Sequence, residues 1–135
     1  MIASAHALAS GLNDHQTGLS VDFTDRIDRT SLYSEFEDEY MRDTELYRWA
    51  VENCADYGFI LRYPEGKEEF YGLACAHPAH FRYVGKEAAR YIMDNGLCLE
   101  EFTWQLQDAI EDFIQRGGDI SFVEDYIQKP DDGTD

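Results

Sequence analysis

The chain has 135 residues, 44% of them hydrophobic and 14% aromatic, and its 28 acidic against 11 basic residues give a formal charge of −17. That is enough for one domain with its own core, and too apolar for a disordered chain. The charge argues against binding a phosphate backbone, which needs clustered Lys and Arg, and no apolar run approaches the roughly 20 residues that span a bilayer. A nucleic-acid mimic would also be acidic, but a solvated surface is the commoner cause of such a balance.

In chain order, Met1 to Ala9 is alanine-rich and reads as a short helix ended by Gly11. It has no basic segment and no long apolar core, so it is not a signal peptide. The expectation is a cytoplasmic protein if the chain is complete, and a cell-envelope one if an export signal precedes it. Next comes Asn13-Asp14-His15-Gln16-Thr17-Gly18-Leu19-Ser20-Val21-Asp22-Phe23. Leu19, Val21 and Phe23 alternate with Ser20 and Asp22, which predicts a strand with Asp22 on the face away from the apolar residues. Gly18 breaks that strand at its start, and His15 sits on the turn before it. A loop histidine and a strand carboxylate seven positions apart can converge on one point, where a zinc ion would need two more ligands. The same residues also describe a surface histidine followed by an ordinary amphipathic strand.

Thr24 to Arg42 is rich in Asp, Glu, Arg and Tyr without a clean period, and reads as a long surface excursion whose carboxylates fit no calcium loop. Asp43 to Tyr57 is predicted as a helix, capped by Asp43 or Thr44 and closed by Gly58, with Leu46, Trp49/Ala50, Asn53/Cys54 and Tyr57 along one stripe. Phe59 to Tyr63 follows as five strong strand formers, a run that suits a central strand, ended by Pro64-Glu65-Gly66. Lys67 to Ala76 reads as an edge strand and loop. From His80 alternation returns, with His80 and Arg82 on one face and Phe81 and Tyr83 on the other. Lys86 to Asn95 and Leu99 to Arg116 are helices closed by Gly96 and by Gly117-Gly118. Ile120 to Gln128 adds a short helix, and Lys129 to Asp135 is an acidic tail expected to be disordered. Cys54, Cys75 and Cys98 are odd in number and form no Cys-x-x-Cys pair. They read as small buried residues in a reducing compartment, with one disulfide and a leftover thiol as the alternative.

The expected fold is α+β: one domain over residues 1–128, with a small, mostly antiparallel sheet carrying Asp22, Ile60 and His80. Helices Asp43–Tyr57 and Leu99–Arg116 are expected to pack on it, with Phe59, Leu61, Trp49, Leu46, Phe81, Phe102 and Leu106 in the core.

Two further stretches carry a family resemblance. His77-Pro78-Ala79-His80-Phe81-Arg82-Tyr83-Val84-Gly85, taken with Tyr57-Gly58-Phe59-Ile60-Leu61-Arg62-Tyr63-Pro64-Glu65-Gly66-Lys67-Glu68, resembles the zinc D-Ala-D-Ala carboxypeptidases of the VanY type. These hedgehog-like metallopeptidases trim peptidoglycan stems. The family carries Ser-x-His-x-x-Gly-x-Ala-x-Asp, then Tyr-Gly-Phe-Ile-Leu-Arg-Tyr-Pro, then Glu-x-Trp-His, and the resemblance runs from about Gly11 to Phe102. It implies zinc held by His15, Asp22 and His80, with a fourth position for water, and a D-Ala-ended stem peptide or dipeptide as substrate. It also implies substrate-side roles for Asn13, which stands where the family has Ser, and for Arg62. Read from its strand alone, Arg62 is more often a satisfied structural residue.

The chain departs from the family at several places. Ser20 replaces Ala, Ala79 replaces the Trp beside the last ligand, and His77 occupies the place of the catalytic Glu. The family's upstream Arg, which helps hold the developing oxyanion, is expected to lack a counterpart, the first Arg of the sequence being Arg26. His77 then has two roles open to it, as general base or as a fourth ligand that closes the site. Weak or absent peptidase activity is expected. The alternative is a non-catalytic relative that binds stem peptides or a protein partner. His6 has no ligand spacing and reads as an exposed residue.

Overall fold

Alternation in the sequence becomes a sheet of three strands. β1 (Ser20–Asp22), β2 (Phe59–Tyr63) and β3 (His77–Tyr83) pair antiparallel in the order β1-β3-β2. The computed structural model describes residues 14–23, 41–72 and 77–121, with His77 described by its backbone alone. Side chains two apart share a face. The aligned residues Val21, Phe81 and Leu61 therefore make one apolar face, while Ser20 opposite Arg82 and Asp22 opposite His80 make a polar one. Pro78 lies in the interval where the β2–β3 register shifts, between the Leu61–Phe81 and Tyr63–His77 pairs. Proline has no N–H to give the ladder, so an irregularity there is the expected place for it.

α1 (Glu45–Asn53) covers the apolar face. Thr44 caps it, its hydroxyl accepting from the Tyr47 N–H at 3.1 Å. Ala50 and Cys54, one turn apart, pack on Phe81, with Val51, Phe59, Leu61 and Met93 around them. The helix tightens into a 3-10 turn, Cys54–Tyr57, which Gly58 ends at φ 85°. A Cβ at Gly58 would lie 2.6 Å from the Tyr83 ring and 3.3 Å from the Gly85 backbone. Only glycine fits both the left-handed turn and that close approach. α2 (Glu68–Tyr71) is a single turn, and α3 (Lys86–Asp94) buries Ala89 and Ile92 against Ile60. Leu97, Leu99 and Phe102 complete that second cluster, the last two from the first turn of α4 (Leu99–Gln115).

The chain divides into two compact units, Met1–Phe102 and Thr103–Asp135. The sheet, α1 to α3 and the first turn of α4 belong to the first. In the second, α4 ends where Gly117 and Gly118 return their N–H groups to the Ile114 and Phe113 carbonyls. No described helix is long and apolar enough to cross a membrane.

The α+β architecture with an antiparallel sheet agrees with the sequence, and three expectations are corrected. β2 lies at an edge among the described strands, and β3 is central. Its continuous apolar run reflects cover on both faces, Ile60 under α3 and Leu61 under α1, rather than pairing on both sides. Lys67 to Ala76 contains α2 instead of an edge strand. Leu46, Trp49 and Leu106 are exposed rather than core. Trp49 is rotated about 100° from Ala50 on the helix, so the small residue meets the sheet and the large one walls an apolar cavity of about 260 Å³ with Phe23, Tyr57 and Phe81. Cys54 and Cys98 are free and buried. The expected Met1–Ala9 and Ile120–Gln128 helices, most of the 24–42 excursion, Cys75 and the 129–135 tail lie outside the described residues, as do His6 and Asn13; of the Ile120–Gln128 stretch only Ile120 and Ser121 are described.

Candidate metal centre

Local sequence brings the first two donors together. Asp14–Thr17 winds into one 3-10 turn, which Gly18 ends at φ 70°. Thr17 ties that turn from inside: its hydroxyl donates to the Asp14 carbonyl at 2.6 Å and accepts from the Leu19 N–H at 3.2 Å. β1 starts directly after, and its alternation returns Asp22 to His15, with His15 Nε2 3.0 Å from Asp22 Oδ2. Sheet pairing adds the third donor. Asp22 and His80 are direct cross-strand partners, and His80 Nδ1 lies 2.7 Å from Asp22 Oδ1. One donor atom from each of the three falls within 4.8 Å of the others. The His15 and His80 rings meet edge to face, centroids 4.6 Å apart, and Tyr63 walls His80 at 5.1 Å.

Two imidazole nitrogens and a carboxylate oxygen at this spacing are a zinc donor set that leaves one tetrahedral position over. The residues therefore fit the ion. Side-chain exposure falls from 39% at His15 through 21% at Asp22 to 4% at His80, so the cluster opens to solvent on the His15 side.

Behind His80 stands a second carboxylate. Asp14 Oδ2 lies 3.2 Å from His80 Nε2 and accepts from the Ser20 hydroxyl, while Oδ1 accepts from Arg82 Nη1 at 2.5 Å. Arg62 Nε approaches Oδ2 at 3.8 Å. Burial alone would raise the Asp14 pKa, but the His80 and Ser20 bonds and the Arg82 and Arg62 charges outweigh it and hold it at about 2. For His80, burial pulls downward, and its bonds to Asp14 and Asp22 more than reverse this, so its pKa is raised.

The three residues expected to bind metal are thus brought together. Arg62 makes a two-bond pair with Glu100, Nη1 to Oε2 at 3.0 Å and Nη2 to Oε1 at 2.6 Å, which is the structural role its strand suggested. His77 opens β3 opposite Tyr63, and its side chain lies outside what is described. Ala79, in the place of the family's Trp, is buried. Sequence reasoning assigned no role to Asp14, Arg82 or the Ser20 hydroxyl. The available signal was period two, which sets Ser20 with Asp22 and Arg82 with His80. Nothing local reports that Asp14 reaches a residue 66 positions away.

Comparison with known proteins gives a consistent result. The family model described as VanY, D-alanyl-D-alanine carboxypeptidase, matches residues 2–86. A D-alanyl-D-alanine carboxypeptidase of Enterococcus faecalis is 44% identical over 92 residues, 68% of this chain and 30% of that protein. The solved Zn(II) complex of a mutant of the vancomycin resistance D,D-pentapeptidase VanY is 44% identical, covering 69% of this chain and 46% of that one, with a TM-score of 0.53. VanYB in complex with D-alanine-D-alanine is 43% identical, with a TM-score of 0.51 over 67% of this chain and 44% of that one. The chain spans between 30% and 52% of the length of the curated relatives it matches.

Proposed function

Because the chain belongs to the VanY family of D-alanyl-D-alanine carboxypeptidases, we propose that it is a zinc-dependent domain acting on D-Ala-ended peptidoglycan stem peptides or D-Ala dipeptides, with weak hydrolysis. The convergence of His15, Asp22 and His80 within 4.8 Å carries this reading. A zinc ion held there would polarise the scissile carbonyl and activate water. His15 and His80 would supply neutral nitrogens and Asp22 a negative oxygen, which offsets the ion's charge. The open side at His15 is where a peptide end would enter. Asn13 and Arg62 are assigned to the substrate side, Arg62 acting from the fixed position that Glu100 gives it.

His77 is the reason for expecting weak activity. A carboxylate in its place would take a proton from water without competing strongly for zinc, whereas an imidazole is itself a zinc ligand. Loss of a general base costs ~10²–10⁴ in rate. The same substitution favours a second reading, a non-catalytic relative that keeps the fold and the metal and binds stem peptides. The test is release of D-Ala by the zinc-loaded protein from D-Ala-D-Ala and from a stem pentapeptide. Little or no release by the parent is expected, with a clear rise in His77→Glu. Efficient hydrolysis by the parent, slowed in His77→Glu, would show that His77 is itself the base. Tight binding of the pentapeptide with no release by either protein would support the second reading.

A further inference from the structure

We infer that Asp14 is a positioning residue of the metal site, holding His80 with its hydrogen on Nε2 so that the bare Nδ1 faces His15 and Asp22. The inference rests on the zinc reading above. His80 is pinned between two carboxylates, with Nδ1 2.7 Å from Asp22 and Nε2 3.2 Å from Asp14. A neutral imidazole carries one ring hydrogen, and its neighbours decide which nitrogen has it.

Asp14 decides in favour of Nε2. Among the described residues, every other group on its carboxylate is a donor: the Ser20 hydroxyl on Oδ2, Arg82 Nη1 on Oδ1, and the Arg62 guanidinium 3.8 Å from Oδ2. A carboxylate beside two guanidiniums has no hydrogen to give, so the contact with Nε2 requires Nε2 to donate. Nδ1 then turns a lone pair toward the Asp22 oxygen. Two lone pairs at 2.7 Å repel unless a proton or a cation lies by them. A metal ion held with His15 and Asp22 meets that requirement.

Asp14 is not itself a ligand in this scheme. It contacts the ring nitrogen on the far side from Asp22, and its oxygens are outside the converging trio. The way it is built in supports a positioning role. Asp14 opens the turn that carries His15, Ser20 shares a strand face with Asp22, and Arg82 shares one with His80. The carboxylate that orients one ligand is thereby fixed to the elements that carry all three. The Ser20 hydroxyl supplies one of the bonds that hold Asp14. Partners behind a metal-bound histidine fix its tautomer and raise its basicity, and losing one costs about 10- to 100-fold in metal affinity.

The experiment measures zinc affinity by competition with a chromogenic chelator for the parent, Asp14→Ala, Ser20→Ala and His80→Ala, each checked by circular dichroism. Asp14→Ala is expected to weaken zinc binding about 10- to 100-fold. Ser20→Ala should weaken it less, and His80→Ala more than either. Two-bond 1H–15N spectra of the zinc-loaded parent should show His80 with hydrogen on Nε2 and metal on Nδ1. A folded Asp14→Ala that matches the parent overturns the inference and leaves the zinc reading standing. So does a spectrum with metal on Nε2. If Asp14→Ala does not fold, the parent's spectrum decides alone. A parent that binds no zinc overturns the zinc reading itself.

Discussion

At the residue scale the site is a balance of donors and charges around His80. That imidazole is almost fully buried, and a buried titratable ring is tolerated here because both nitrogens meet carboxylates, Asp22 on one side and Asp14 on the other. Asp22 turns one oxygen toward each histidine. Removing either histidine leaves a two-donor site, which is too few for tight zinc binding. Purified parent is therefore expected to carry about one zinc per chain, and His15→Ala and His80→Ala far less. The measurement is metal analysis by plasma emission after dialysis. Equal zinc in all three proteins would mean that the cluster is not the metal site.

At the element scale the sheet delivers ligands and the helices hold the sheet. The start of α4 is tied to the sheet side of the molecule by Arg62–Glu100 and to α2's approach by Lys67–Glu101, the latter at 2.7 Å. Glu101 also reaches back to the Cys98 N–H at 2.9 Å, so a carboxylate three residues in satisfies the open amide at the helix start. Burial pushes the Glu101 pKa up, but the Lys67 ammonium and the Cys98 amide outweigh it, and the group lies below the ordinary value of about 4.5. A carboxylate lowered in the folded state stabilises fully above its unfolded pKa, and that contribution fades as pH falls through the folded value. Glu101→Ala is accordingly expected to cost ~1 kcal/mol near pH ~7 and less at an acid pH below the group's folded value, read from urea unfolding midpoints. The same loss at both values would show that the carboxylate's charge contributes nothing there.

For the whole molecule, a zinc ion at this site would be coupled to the fold, because His15, Asp22 and His80 come from a turn and two strands that meet only when the sheet forms. An ion that binds the folded chain alone stabilises it by mass action, ~2.7 kcal/mol at 100-fold excess over its dissociation constant. For a protein of this size that is a rise of roughly 10 °C in melting temperature on adding zinc to chelator-treated protein. Identical melting curves with and without zinc would break the coupling. The division between what the sequence determined and what tertiary structure decided follows from the same fact. Caps and breaks were legible: Thr44 and Gly58 around α1, Gly18 before β1, Gly117-Gly118 after α4. So were the alternation that sets Asp22 apart from Val21 and the family resemblance that singled out His15, Asp22 and His80. These depend on residues within a few positions of one another, where helix and strand periods act. The Asp22–His80 register, the edge position of β2, the exposure of Trp49 and Leu106, and the grip of Asp14 on His80 were decided elsewhere. Each depends on contacts between distant positions, and period and propensity constrain the face a residue takes without saying which partner will stand opposite it.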